Sequence, residues 1–119
     1  MIRIRGAIDS DLPTLGRLFD QYRQFYRLPG DLEKSTTYLT SRLRALDSTV
    51  LVAVDETGAL CGFTQLYPTW CSLLAGPVYV LYDLYVTPEA RRRGVGRALI
   101  QAATERGRRD GKLRMTLST

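Results

Sequence analysis

Leu84-Tyr85-Val86-Thr87-Pro88-Glu89-Ala90-Arg91-Arg92-Arg93-Gly94-Val95-Gly96-Arg97-Ala98-Leu99 joins a strand-like run to a helix-like run through a turn rich in arginine and glycine. Upstream, Tyr79 to Val86 is dense in aromatic and β-branched side chains, which suit a pleated, half-buried surface. Thr87-Pro88 breaks that pattern, and from Val95 the apolar positions Val95, Leu99, Ala102 and Ala103 fall at helical spacing. The first turn of such a helix carries backbone N–H groups without intrahelical acceptors, at the positive end of the dipole, so it attracts an anion. Gly94 and Gly96 let a phosphate approach the backbone, and the arginines add forked donors.

Two other phosphate-binding patterns fit less well. No Gly-Lys-Ser/Thr is present, which excludes a P-loop. Gly94-Val95-Gly96 has no third glycine for a dinucleotide fingerprint, and no acid follows at the end of a next strand to meet a ribose. Arg91-Arg92-Arg93-Gly94-Val95-Gly96 instead resembles the Arg/Gln-x-x-Gly-x-Gly/Ala signature of the GCN5-related N-acetyltransferases (GNAT), which bind acetyl-coenzyme A. The likeness continues upstream through Leu84-Tyr85-Val86-Thr87-Pro88, where that family has its central strand and a short turn. Specific motifs cover residues 84 to 99; the order of elements extends the resemblance over nearly the whole chain.

Length and composition bound the alternatives. A chain of 119 residues with 45% hydrophobic and 24% charged residues is one ordered globular domain, 1–119. No apolar stretch reaches the length of a membrane span, and Met1-Ile2-Arg3-Ile4-Arg5 has no signal-peptide core, so a cytoplasmic protein is expected. Cys61 and Cys71 read as reduced thiols; with no histidine in the chain, neither a zinc site nor a histidine-based triad is expected. The net charge of +5 is concentrated in Arg91, Arg92, Arg93, Arg97, Arg106, Arg108, Arg109, Lys112 and Arg114. A phosphate-bearing cofactor explains the first four, and a helix C-terminus favours those that follow.

The periodicities predict strands at Ile2–Ile4, Val50–Val54, Leu60–Tyr67, Val78–Val86 and Leu113–Ser118. They predict helices from Leu12 to about Arg27, Asp31 to Leu46 and Val95 to about Arg109, with a loop at Pro68–Pro77. The order β-α-α-β-β-β-α-β is an α/β (α+β) arrangement, and the resemblance implies the acyl-coenzyme A N-acyltransferase fold. That fold has a mixed, mostly antiparallel sheet whose fourth strand, third helix and fifth strand hold the cofactor. It continues with another helix and two strands, so the domain is expected to be C-terminally incomplete or completed at its edge by a partner chain, for example as a homodimer.

By resemblance, acetyl passes from coenzyme A to a primary amine by direct attack on the thioester. Leu84, Tyr85 and Val86 would meet the cofactor arm through the backbone of a bulged strand. Arg92, Arg93, Gly94, Val95, Gly96 and Arg97 would hold the diphosphate, with Arg91 opening the signature. Asp83, just before the bulge, is the candidate to bind the substrate ammonium or accept its proton. Tyr82 and Tyr85 read as packing residues. The family's usual acid is a tyrosine on the helix that would follow, and none here inherits that role. Tyr22, Phe25, Tyr26, Tyr67 and Trp70 are candidates for the acceptor wall, with Phe25 favoured as core; aromatic faces suit an ammonium. That pattern is similar to bacterial diamine and small-amine acetyltransferases, so a small amine or polyamine is expected, with a protein amine next. Two other classes stay open: a non-catalytic acyl-coenzyme A-binding regulatory module, and a basic nucleic-acid-binding domain.

Overall fold

Thr49-Val50-Leu51-Val52-Ala53-Val54 has no polar side chain after its first residue, and a strand of that composition is stable only with both faces covered. The computed structural model, which describes residues 1–118, covers both. Strands β1 (Arg3–Gly6), β2 (Thr49–Val54), β3 (Leu60–Cys71), β4 (Gly76–Val86) and β5 (Met115–Leu117) form one sheet in that spatial order. The first three pairings are antiparallel and β4–β5 is parallel. Helices α1 (Leu12–Phe25) and α2 (Leu32–Ala45) cover one face, and α3 (Val95–Arg109) covers the other. Val50, Val52 and Val54 pack with Leu15, Phe19 and Leu39, whereas Leu51 and Ala53 pack with Val95, Leu99 and Ala103. No helix among the described residues is long and apolar enough to cross a membrane.

Polar ties orient the helices on this core. Asp11 is buried and takes two hydrogen bonds from Arg5, at 2.8 and 2.9 Å, fastening β1 to the start of α1. Asp20, also buried, accepts from the Asp31 backbone N–H at 2.8 Å and the Ser35 hydroxyl at 2.9 Å, so α1 fixes the N-terminus of α2. The helices approach closely at Gly16, where an added Cβ would lie 2.2 Å from Thr36 Oγ1.

Two boundaries differ from the periodicity. Pro68–Pro77, expected as a loop, is largely the end of a long β3–β4 hairpin, with Trp70 opposite Pro77. Proline is tolerated because its nitrogen points away from the β3–β4 ladder at both places: Pro77 and Tyr79 turn their backbones toward β5, accepting from Leu113 N–H and donating to Arg114 C=O. β5 is regular only over Met115–Leu117, shorter than the expected Leu113–Ser118.

β4 contains the irregularity that matters most. Gln65 pairs with Asp83 and Leu66 with Leu81, so Tyr82 is an extra residue, a β-bulge. Side chains alternate faces along a strand, and one inserted residue reverses the alternation. Tyr79 and Leu81 therefore face α3, whereas Tyr85 faces α1 and α2. β5 pairs with Tyr79, Val80 and Leu81, and Ser118 N–H donates to Leu81 C=O at 2.9 Å.

Gly16→Ala is expected to lower stability by about 1–3 kcal/mol through overpacking, despite the better helix propensity of alanine. Adding Thr36→Ala should recover most of the loss; urea unfolding of the two variants and the double variant would show the coupling.

Candidate active site

The turn after β4 forms an uncapped anion cradle. Arg92 and Gly94 have left-handed φ of 67° and 79°, and α3 begins directly afterwards with no side-chain cap on its first turn. Successive N–H groups in such a mixed-handed turn point into one concavity. Gly96 does not have φ in the left-handed range, and a Cβ there would meet only Val86 Cγ2, at 4.0 Å. The fold itself does not require this glycine; it leaves room for an anion against the backbone. Arg92, Arg93 and Arg97 are exposed around the cradle. Arg91 turns back instead: its Nε donates to Val86 C=O at 3.0 Å, and its guanidinium lies 5.7 Å from the Phe25 ring and 5.6 Å from the Tyr85 ring. It clips the turn to β4 and α1. Phe25, favoured as core in the sequence, is 63% exposed because its ring serves as a platform for this arginine.

A cavity lies beside β4 on the edge away from β3, at Leu81, Tyr82 and Leu84. Thr87 N–H bonds Cys61 C=O, which makes Gly62–Val86 and, by alternation, Thr64–Leu84 non-hydrogen-bonded pairs in the β3–β4 ladder. The backbone groups of Leu84 and Val86 therefore point away from β3, where the Val86 C=O accepts from Arg91 and Leu84 lines the cavity, while those of Tyr85 pair with β3. This cavity, of about 400 Å³, is bounded by Leu81, Tyr82 and Leu84 of β4, Leu117 and Ser118, Ile100 of α3, and Tyr22 and Tyr26 of α1.

Asp83 stands behind it. Its carboxylate is buried, accepting from the Tyr22 hydroxyl at 2.8 Å and from Gln65 Nε2 at 2.9 Å, while Ser48 fixes the Gln65 amide by donating to Oε1 at 2.9 Å. Burial pushes the Asp83 pKa up, and the two donors pull it back in part. Burial, reinforced by the hydrogen bond to Asp83, also holds the Tyr22 hydroxyl in its neutral form well above the usual tyrosine range. Asp83 and Tyr82 also line a second cavity, of about 290 Å³, walled by Phe19, Tyr38 and Tyr67 and rimmed by Arg23 and Lys34. Tyr38 and Tyr67 share a hydrogen bond of 2.5 Å.

The structure thus brings together Asp83, Leu84, Tyr22 and Tyr26, and sets the cradle of Arg92 to Arg97 at the end of the same strand. It does not bring Trp70 to them: Trp70 is 77% exposed near the hairpin tip and lines neither cavity. Tyr85 contributes its ring to the α1 side of the core, against the edge of Tyr22. Gln65, Tyr38, Arg23 and Lys34 were not distinguishable in the sequence. Of these only Gln65 left a trace, as a lone polar residue inside the apolar run Leu60–Tyr67.

Comparison with known proteins agrees with this geometry. Residues 15–119 match the sequence model of the acetyltransferase (GNAT) family. The chain is 42% identical over 118 residues to an uncharacterized N-acetyltransferase, YhfO, of Bacillus subtilis, covering 99% of this chain and 78% of that protein. It is 34% identical over 104 residues to a probable acetyltransferase of Haemophilus influenzae, covering 87% and 71%. The crystal structure of a probable acetyltransferase superposes with a TM-score of 0.92 at 41% identity, covering 98% of this chain and 78% of the other.

Because the folded-state pKa of Asp83 is raised, folding favours its protonated form. That contribution is full below the ordinary carboxylate value of 3.8 and is lost as pH rises through the raised value. Urea unfolding across this range should show the stability of the wild type falling relative to Asp83→Asn as pH rises, then running parallel above it.

Proposed function

The chain belongs to the acetyltransferase (GNAT) family, and from that premise we propose that it transfers acetyl from acetyl-coenzyme A to a small primary amine. The observation that carries this reading is the continuity of three features along one strand end: the uncapped cradle at α3, the outward-facing backbone of Leu84, and the buried carboxylate of Asp83. The free thiols of Cys61 and Cys71 support placing the enzyme in the cytoplasm.

Acetyl-coenzyme A supplies a thioester carbonyl and a thiol leaving group. Its diphosphate suits the N–H groups at Gly94, Val95 and Gly96, with Arg92, Arg93 and Arg97 adding charge-assisted bonds and Arg91 holding the turn in shape. Its arm suits the cavity beside β4, where the outward backbone groups of Leu84 offer it hydrogen bonds. The outward N–H of Leu84 is suitably turned to donate to a developing oxyanion. Asp83 binds the incoming ammonium and takes one proton from it, which frees the lone pair for attack. The C–N bond then forms, the C–S bond breaks, and the second amine proton ends on the thiol. Tyr22 remains a neutral donor to Asp83 throughout, so the carboxylate keeps its orientation.

Calorimetric titration with acetyl-coenzyme A tests the cradle. Gly96→Glu should fold, since the added side chain meets open space, and should weaken binding by about 10- to 100-fold or more. Equal binding by parent and variant would remove the cradle from the reading. For the base, kcat in Asp83→Asn should fall by about 100- to 10,000-fold. In the wild type, kcat should rise with pH along a limb displaced above the ordinary carboxylate range by the burial of Asp83; the variant should lose that limb.

A further inference from the structure

The second cavity is charged in a way that acetyl transfer to an amine does not by itself require. Its inner end carries the carboxylate of Asp83, and its rim carries Arg23 of α1 and Lys34 of α2. Neither cation takes part in an ion pair among the described residues. Arg23 makes one side-chain hydrogen bond, a long one of 3.4 Å to Ser35 Oγ. The nearest acid along α1, Asp20, is already committed to Asp31 N–H, Ser35 and Gln24. Lys34 sits in the first turn of α2 beside Glu33, and the Asp31 carboxylate caps that turn by accepting from the Lys34 backbone N–H at 3.1 Å, leaving the Lys34 ammonium without an ion pair among the described residues. One small cavity therefore runs from a buried negative end to an unpaired positive mouth, between the walls of Phe19, Tyr38, Tyr67 and Tyr82.

A diamine suits this gradient poorly, because its second ammonium would lie against Arg23 and Lys34. A molecule with an amine at one end and an anion at the other matches both ends. We propose that the acceptor is a small amine bearing an anionic group, carboxylate or phosphate, with its amine at Asp83 and its anion between Arg23 and Lys34. The inference rests on the acetyl-transfer reading above and adds the substrate class to it. Arg23 supplies a forked, permanently charged donor for a carboxylate or phosphate, and Lys34 supplies a mobile point charge.

The test compares acceptors of matched length: an α-amino acid, the corresponding amine lacking the carboxylate, an aminoalkyl phosphate, and a diamine. Each is measured by thiol release from acetyl-coenzyme A and by calorimetric binding to the protein saturated with coenzyme A. An anion-bearing amine should be preferred, and the carboxylate and phosphate arms identify which anion. Arg23→Gln should lower the kcat/KM ratio of anionic over uncharged-tail acceptors by about 10- to 100-fold, mainly through KM, with partial retention in Arg23→Lys. Lys34→Gln, at an exposed position, should shift the ratio in the same direction without disturbing the fold. Preference for the diamine, or an unchanged ratio in both variants, overturns the proposal while leaving acetyl transfer intact. Binding of the anionic amine that depends on Arg23, without thiol release, upholds the charge-matched pocket and removes the transferase reading instead. Neither binding nor thiol release with any acceptor overturns both.

Discussion

The extra residue at Tyr82 is the constraint on which the site depends. Without it, Tyr79, Leu81, Asp83 and Tyr85 would all face α3, because strand side chains alternate strictly. With it, Asp83 and Tyr85 cross to the face of α1, where Tyr22 and Gln65 meet the carboxylate. One local departure from regular pleating thus moves an acid to the face that carries Tyr22 and Gln65. Bulges cost ladder hydrogen bonds, and this cost is offset by the dense apolar packing on both faces of β2 and β3.

Burying Asp83 is itself unfavourable for its charged form, and the surroundings reduce that penalty without cancelling it. Two neutral donors reach the carboxylate and, among the described residues, no cation pairs with it, so its pKa remains raised. An arginine in direct contact would have held the group firmly ionised and made it a weaker base. The protein's cations are instead kept apart from it: Arg91 is sandwiched near Phe25 and Tyr85, Arg92, Arg93 and Arg97 surround the cradle, and Arg23 and Lys34 stand at the cavity rim. Charge is segregated across this end of the molecule, positive at the cradle and at the cavity rim and negative between them.

The helices α1 and α2 connect this electrostatic pattern to stability. Asp20 ties the start of α2 to α1, and the close approach at Gly16 sets their spacing. Tyr38 and Lys34 reach the cavity from α2, whereas Phe19, Tyr22 and Arg23 reach it from α1. Changes at the helix contact are therefore transmitted to the acceptor cavity through rigid elements rather than through the sheet.

The sequence by itself determined the element order, the strand–turn–helix around Arg91 to Gly96, and the family that turn belongs to. Those features are local, written in periodicity, turn chemistry and short motifs within a few residues of one another. The resemblance also singled out Asp83, expected just before a bulge; the bulge instead falls at Tyr82, immediately before Asp83, because Leu66 pairs with Leu81. Tertiary structure alone decided what Asp83 touches, that Arg91 clips the turn while its neighbours surround the cradle, that Phe25 is exposed, and that Trp70 stands apart from both cavities. Each of these depends on the register of β3 against β4 or on the packing of α1, contacts between residues up to 64 positions apart. Period-2 and period-3.6 patterns state which side of an element is apolar, but they carry no record of which distant side chain lies across from it.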